Sequence, residues 1–246
     1  MPDSQNIFYT YISKFYSEIF PFNPQQLNFA EFQLGSLSAK NLLDIGCASG
    51  ELSFQLAQNG TLVTGIDLND DLIEQARQNK KHPNLNFRKG NMLDLGRDFK
   101  KTYFDSALCF GNTLVHLASI EQVAEMLKGA RTVLKPGGKL LLQILNYDYI
   151  LDEHISDLPL IDTENIQFKR QYKWDQNSTR IHFCTELLIK AENKSLRNET
   201  ILLALRSRQL KNILLDLGFS DIQFYSNFRM DNFGGQHLPL VVSCSA

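Results

Sequence analysis

No stretch of the 246-residue chain approaches the ~20 consecutive apolar residues that span a bilayer. Its opening, MPDSQNIFYTYISKFY, is polar where a secretory leader needs a basic start and an apolar core. Neither sign of charge is in excess: 25 Lys plus Arg face 27 Asp plus Glu, a net charge of −2. Without a field that draws it to polyanions, nucleic acid and anionic membrane are disfavoured as partners. Cysteines are few and far apart, at Cys47, Cys109, Cys184 and Cys244. They form no CxxC pair and no Cys/His cluster at metal-ligand spacing, so neither a disulfide framework nor a metal site is expected. Reduced thiols packed as small hydrophobes fit a soluble, cytoplasmic protein. Internal repeats, low-complexity tracts and linker-like stretches are also missing. What remains, 43% hydrophobic and 21% charged residues, suits one α/β domain with a large core.

Short apolar runs alternate with helical patterns from residue 41 onward. Asn41–Gly46, Thr61–Ile66, Leu85–Lys89, Phe104–Phe110 and Lys139–Leu145 read as buried strands. Between them, Gly50–Asn59, Asp70–Lys80 and Ser119–Leu134 carry apolar residues at helical spacing. Acids open the second helix and lysines close it, as the helix dipole favours, while Pro136-Gly137-Gly138 stops the third. This rhythm predicts right-handed crossovers and a parallel sheet covered on both faces. After Asn146 the period becomes two. Ile166, Phe168, Tyr172 and Trp174 alternate with polar residues, and strands near Ile181–Lys190 and Arg197–Arg206 follow. A three-strand antiparallel insertion at about 147–206, with no helix inside it, is the expectation. A helix over Arg208–Leu217 stopped by Gly218, then strands Asp221–Ser226 and Leu238–Ser245, complete the reading. Ile7–Phe20 places Tyr9, Ile12, Phe15, Tyr16 and Ile19 on one helical face, so 1–40 is expected to cover a domain of 41–246.

Open parallel sheets bind ligands at the carboxyl ends of their strands. The first strand here runs into Asp44-Ile45-Gly46-Cys47-Ala48-Ser49-Gly50, small residues that allow positive φ and close approach of backbone to a ligand. The second ends in Asp67, whose carboxylate can accept from both hydroxyls of a ribose. Together these features imply an adenosine-containing cofactor. A dinucleotide fingerprint begun at Gly46 would put Ala48 and Glu51 where its second and third glycines belong. Glu51 would crowd the helix and repel a pyrophosphate. A cofactor without phosphates, its amino-acid tail on the turn, is favoured.

From about Asn41 to the C-terminus the chain resembles the class I S-adenosylmethionine-dependent methyltransferases. LLDIGCASG matches that family's first motif, with Ala48 at the middle glycine. The resemblance implies that Asp44, Gly46, Cys47, Ala48 and Gly50 wrap the methionine portion of S-adenosylmethionine. By the same likeness Asp67, with Leu68 beside it, matches the ribose-binding acid, and Asn91-Met92 the adenine position, with Asp94 close enough to leave the register open. LLDLGF and LPLVV match the closing pattern, which implies a Rossmann-like seven-stranded sheet of order 3-2-1-4-5-7-6. Phe110-Gly111-Asn112-Thr113-Leu114-Val115-His116-Leu117 and Asn146-Tyr147-Asp148 are similar to segments of the glycine and sarcosine N-methyltransferases, which also insert antiparallel strands after the fifth strand.

Methyl transfer from a sulfonium needs alignment and exclusion of water more than strong acid or base. The expected reaction is in-line transfer to a small-molecule acceptor, with Asn112 and His116 beside the reacting methyl and His116 polarising the acceptor or taking its proton. Phe110 and Gly111 count with the cofactor contacts, and Tyr16, with Tyr9, can close over the cofactor. Asn146, Tyr147 and Arg170 are the candidate substrate contacts. Arg170 stands on the aromatic face of the insertion, where an inward guanidinium seeks an anion, and Arg206 is its alternative. No metal is implied, and the alternating strands offer an edge for a homodimer. Competing readings are an RNA or protein methyltransferase, a nucleotide-dependent oxidoreductase, and a non-catalytic cofactor binder on the same fold.

Overall fold

Strands buried on both faces along most of their length set the frame of the molecule. The computed structural model describes residues 9–175 and 178–246. Leu42, Leu43 and Ile45 of β1 (Asn41–Ile45), Val63 and Ile66 of β2 (Leu62–Asp67), and Ala107 and Leu108 of β4 (Phe104–Cys109) are all buried. A strand buried on both faces must be covered on both, and helices do this here. With β3 (Leu85–Lys89) and β5 (Leu134–Leu145) these strands are parallel; β11 (Pro239–Ser245) runs antiparallel between β5 and β10 (Ser220–Tyr225). The sheet order β3-β2-β1-β4-β5-β11-β10 is the order that the sequence implied.

Two layers flank this sheet. The larger core packs Leu43, Ile45, Phe104 and Leu142 against helix Ile120–Val133 and helix Ser207–Asp216. The opposite face packs Leu42, Val63, Leu108 and Leu141 against helix Glu51–Gln58 and helix Pro24–Leu34, a helix the sequence reading did not single out. Gly218 leaves helix Ser207–Asp216 at φ +80°, the expected left-handed stop.

Four features differ from expectation. β5 begins at Leu134, paired with Phe104, and the Pro136-Gly137-Gly138 turn is looped out before Lys139 pairs with Ser106. The turn therefore interrupts a strand rather than joining helix to strand. The insertion contains a helix after all, Tyr147–Asp152, capped when the Asn146 side chain accepts from Tyr149 N. Its sheet has four strands, because the two-residue β6 (Ile161–Asp162) joins β7 (Ile166–Lys173), β8 (Arg180–Ile189) and β9 (Lys194–Leu203). The N-terminal segment is less regular than one helix: from Tyr9 it passes through a 3-10 turn at Ser13–Phe15 into Tyr16–Ile19, while Ile7 lies outside the described residues. Ile12 and Ile19 of this segment pack on Ile166, Phe168 and Leu187 of the insertion sheet. Among the described residues no helix is long and apolar enough to cross a membrane.

Candidate active site

The carboxyl ends of β1 to β4 surround one cavity, and the N-terminal segment roofs it. Gly46 and Ala48 line it from the turn after β1; Asp67, Leu68 and Asn69 from the end of β2; Asn91 and Met92 after β3; Gly111 and His116 after β4. Tyr9 and Tyr16 close the top. Nine residues of the sequence-derived site thus meet in one space: Gly46, Ala48, Asp67, Leu68, Asn91, Met92, Gly111, His116 and Tyr16. Sequence reasoning missed Leu72, Gly90 and Thr113. Each had a signal, since Leu72 follows Asp67 by just over one helical turn, Gly90 ends β3, and Thr113 lies inside the G-N-T segment.

The turn after β1 is built by its backbone. Gly46 N and Cys47 N both donate to Ile66 O, at 2.8 and 2.9 Å. Gly46 takes φ +75°, and a Cβ there would lie 2.5 Å from Thr113 Cγ2. Gly50 takes φ +78°, and its Cβ would lie 2.2 Å from Phe87 Cζ, so it serves close packing of helix on strand. Ala48, at the middle glycine position, holds φ +48°, a conformation unfavourable to any residue with a Cβ. Ala48→Gly should therefore stabilise the chain by about 1 kcal/mol. A thermal melt checks this, and an unchanged or lowered midpoint would show that the alanine methyl is compensated by packing.

Two carboxylates, Asp44 buried and Asp67 half-buried at the cavity wall, dominate the electrostatics. Asp67 Oδ2 accepts from Ala48 N at 3.0 Å and Oδ1 from Asn69 N at 2.9 Å. These bonds hold the turn after β1 against the end of β2, and each oxygen keeps a lone pair for a ligand. Burial raises the Asp67 carboxyl, and the backbone donors oppose that rise. Asp44, on β1, accepts from Ser53 Oγ at 2.6 Å; burial, and after it the nearby Asp67, push it up to about 6. A group held above its unfolded value of 3.8 favours the folded state fully below pH 4 and loses that contribution as pH rises through 6. The lost contribution is about 3 kcal/mol. Denaturant titrations from pH 4.5 to 7.5 should show declining stability from this source, and Asp44→Asn should flatten the slope. An unaltered slope in that variant would remove Asp44 as its origin.

At the other end of the cavity Tyr9 Oη and His116 Nε2 share a hydrogen bond of 3.1 Å, ring edge to ring face. Burial, then Asp67, raise the Tyr9 phenol far above its ordinary range, so Tyr9 stays protonated. Asn69 Nδ2 donates to Thr10 Oγ1, tying the roof to the end of β2.

The other sequence-derived residues lie just outside the lining. Asn112, at φ +66°, accepts from Leu145 N at 2.9 Å and donates to Tyr147 Oη at 3.2 Å. Tyr147 is buried and hydrogen-bonded in turn to Tyr172 of β7. Asn146 caps its helix and donates to His237 O. The Cys47 thiol packs among Ile73, Ala76 and Phe87, and burial raises it. Phe110 turns away, onto Phe29 and Phe228 on the opposite face of the sheet. Asp94 pairs with Arg97 and is not part of the lining, whereas Asn91 and Met92 are. Glu51 pairs with Lys80. Arg206 is held by Asp148 and Asp152, at 3.4 and 2.8 Å. Arg170 donates to Pro159 O at 2.7 Å, while its buried Nε has no hydrogen-bond partner. No group of acids, histidines and cysteines able to hold a metal occurs among the described residues.

A family model described as a methyltransferase domain matches residues 36–193, well over half of the chain. The chain belongs to the methyltransferase-domain family. A ubiquinone biosynthesis O-methyltransferase of Coxiella burnetii is 33% identical over 129 residues, 52% of this chain and 52% of that protein. The chain spans about half the length of the curated relatives it matches. Among solved structures it resembles the CcbJ methyltransferase of Streptomyces caelestis, with a TM-score of 0.80, 19% identity and 96% of each chain covered. The S-adenosylmethionine-bound amino pentose methyltransferase CalS10 of Micromonospora echinaspora has a TM-score of 0.66 at 16% identity, covering 89% of each chain. At such identities these likenesses concern the fold.

The cavity fits S-adenosylmethionine on its own chemistry. Asp44, buried, and Asp67, half-buried, are acids that meet no cationic side chain among the described residues, and this cofactor carries a sulfonium and an ammonium. Gly46, Gly90 and Gly111 keep the walls free of Cβ atoms, and Ile45, Ile66, Leu72 and Met92 supply apolar surface for a base.

Proposed function

We propose that this enzyme transfers a methyl group from S-adenosylmethionine, by in-line displacement, to a small acceptor carrying an anionic group. The single observation that carries the reading is the shared lining of one roofed cavity by Gly46, Ala48, Asp67, Met92 and His116. S-adenosylmethionine supplies a methyl group already activated on a positively charged sulfur. What the chain must add is position and dryness. Gly46 and Ala48 receive the amino-acid end, Asp67 the ribose hydroxyls, and Asn91 with Met92 the base. Asn91 spends one lone pair of Oδ1 on Leu93 N, at 3.0 Å, and keeps the other for the exocyclic amine. Tyr9 and Tyr16 exclude water from above. The Tyr9 hydroxyl donates to His116 Nε2 and holds the ring in register, and it can take the proton that an amine or hydroxyl acceptor sheds as its own proton passes to Nε2. Asn112, Tyr147 and Tyr172 form a hydrogen-bonded chain that fixes the wall between β4, β5 and the insertion, and they act as positioning residues.

The acceptor class rests on Arg170. It stands on the same face of β7 as Phe168 and Tyr172, with the N-terminal segment packed beside it. A guanidinium with a buried, unbonded Nε and no acid partner among the described residues is best satisfied by a carboxylate or phosphate. The cover of N-terminal segment and insertion sheet favours a small acceptor over a polymer. Turnover of methyl-labelled S-adenosylmethionine with a metabolite extract, followed by identification of the labelled product, tests the reading. Arg170→Glu should raise acceptor KM at least tenfold while leaving cofactor Kd unchanged; an unaltered KM would remove the anionic acceptor.

A further inference from the structure

The two sheets present four edge strands, and three of them are protected against pairing. β6 has two residues. β3 is short and ends in Arg88-Lys89. β10 is broken by a register shift between Ser220 and Gln223, with Asp221 at φ +49°. Bulges, shortness and charge of one sign are the usual devices that keep edges single. β9 uses none of them. It runs from Lys194 to Leu203 with unbroken register against β8 and contains no proline.

The direction of its free backbone groups follows from the ladder. Ala204 N donates to Thr179 O at 2.8 Å, so even-numbered residues of β9 exchange hydrogen bonds with β8. The N–H and C=O groups of Ser195, Arg197, Glu199 and Ile201 therefore point away from β8, along the open edge. No hydrogen bond to these backbone groups occurs among the described residues. On the outer face of the same strand, Arg197 and Glu199 are well exposed, and Ile201 is 49% exposed.

We propose that β9 is a dimerisation edge, pairing antiparallel with β9 of a second copy of this chain about a two-fold axis at Asn198. In that register Arg197 of each copy lies opposite Glu199 of the other, and Ser195 lies opposite Ile201. Every outward N–H and C=O from Ser195 to Ile201 then finds a partner. Moving the axis one residue either way sets Arg197 against Arg197 or Glu199 against Glu199, and like charges directly opposite are destabilising. The pattern of charge thus selects one register and one partner. Across the join the face reads Glu186, Arg197, then Glu199 and His182 of the second copy, extending the Arg197–Glu186 ion pair at 3.1 Å and the His182–Glu199 hydrogen bond at 2.7 Å already present within each chain. The two four-stranded sheets become one of eight strands, and the C-terminal end of β9, which packs on the Thr113–His116 turn, is held from both sides.

Sedimentation equilibrium of the full chain tests this. The wild type should sediment at twice the chain mass. Arg197→Glu and Glu199→Arg, each alone, should shift it to the monomer mass, and the double exchange should restore the dimer. Asn198 lies on the axis as a non-hydrogen-bonded pair with its own copy, where Cα atoms approach to about 4.5 Å. Asn198→Cys, in a Cys184→Ser background, should therefore cross-link on mild oxidation. A monomeric wild type, a dimer unmoved by both single exchanges, a double exchange that stays monomeric, or absence of the cross-link overturns the proposal.

Discussion

Asp67→Ala should weaken S-adenosylmethionine binding by roughly 10²–10³-fold, the largest loss of affinity expected from one substitution in this chain. The carboxylate does two things at once. It accepts from Ala48 N and Asn69 N, which fixes the turn after β1 to the end of β2. It also keeps lone pairs directed into the cavity. Hydrogen bonds to a charged group contribute about 1.5–3 kcal/mol each, so losing a pair of ribose contacts costs about 3–4 kcal/mol, and each 1.4 kcal/mol is tenfold. Asp67→Asn would turn an amide N–H toward Ala48 N–H or Asn69 N–H, donor against donor, and should recover little. Asp67→Glu keeps the acceptor pair at a longer reach and should fall between. Calorimetric titration of the three variants reads the series. A Kd within threefold of wild type for Asp67→Ala would move the ribose elsewhere, and the assignment of the cavity with it.

The strands were legible because each is a short apolar run closed by a turn residue, and β3 falls at the predicted residues, Leu85–Lys89. Legibility fails where one residue type serves two geometries. Pro136-Gly137-Gly138 has the composition of a helix stop, yet here it loops out of a strand whose pairing resumes at Lys139. Asn146-Tyr147-Asp148 follows the fifth strand in a segment expected to hold no helix, although Asn146 is a good N-cap and Tyr147 and Ile150 have the spacing of a buried helical face. In the site, residues following strands were found because parallel strands all deliver their ends to one edge. Phe110 shows the limit: it follows β4 as Gly111 does, but its ring crosses to the layer of Phe29 and Phe228. The surroundings of Arg170 were hidden for another reason. Its partner is the carbonyl of Pro159, and a backbone acceptor leaves no mark in the side-chain sequence.

His116→Ala should lower kcat by about 10²–10⁴-fold, the range for loss of a positioned proton acceptor, with cofactor Kd changed by less than about threefold. The split between the two constants is the point of the experiment. His116 lines the cavity from the Thr113–His116 turn, across from the Asp67 wall, so its removal should spare the contacts that hold the cofactor. Its Nε2 faces Tyr9 Oη at 3.1 Å, and Tyr9 arrives on the segment that roofs the site. Alignment of the imidazole is thereby linked to closure of the roof. Tyr9→Phe keeps the ring packing but not the bond, so it should lower kcat less than His116→Ala does, by about tenfold if one hydrogen bond of about 1.4 kcal/mol is lost. Combining the two substitutions should cost little more than His116→Ala alone, because residues acting as a unit are not additive. Additive losses would show that Tyr9 and His116 work separately, with Tyr9 serving closure only. A His116→Ala enzyme that turns over at the wild-type rate would leave His116 a packing residue, and the proton of the acceptor would then leave through solvent.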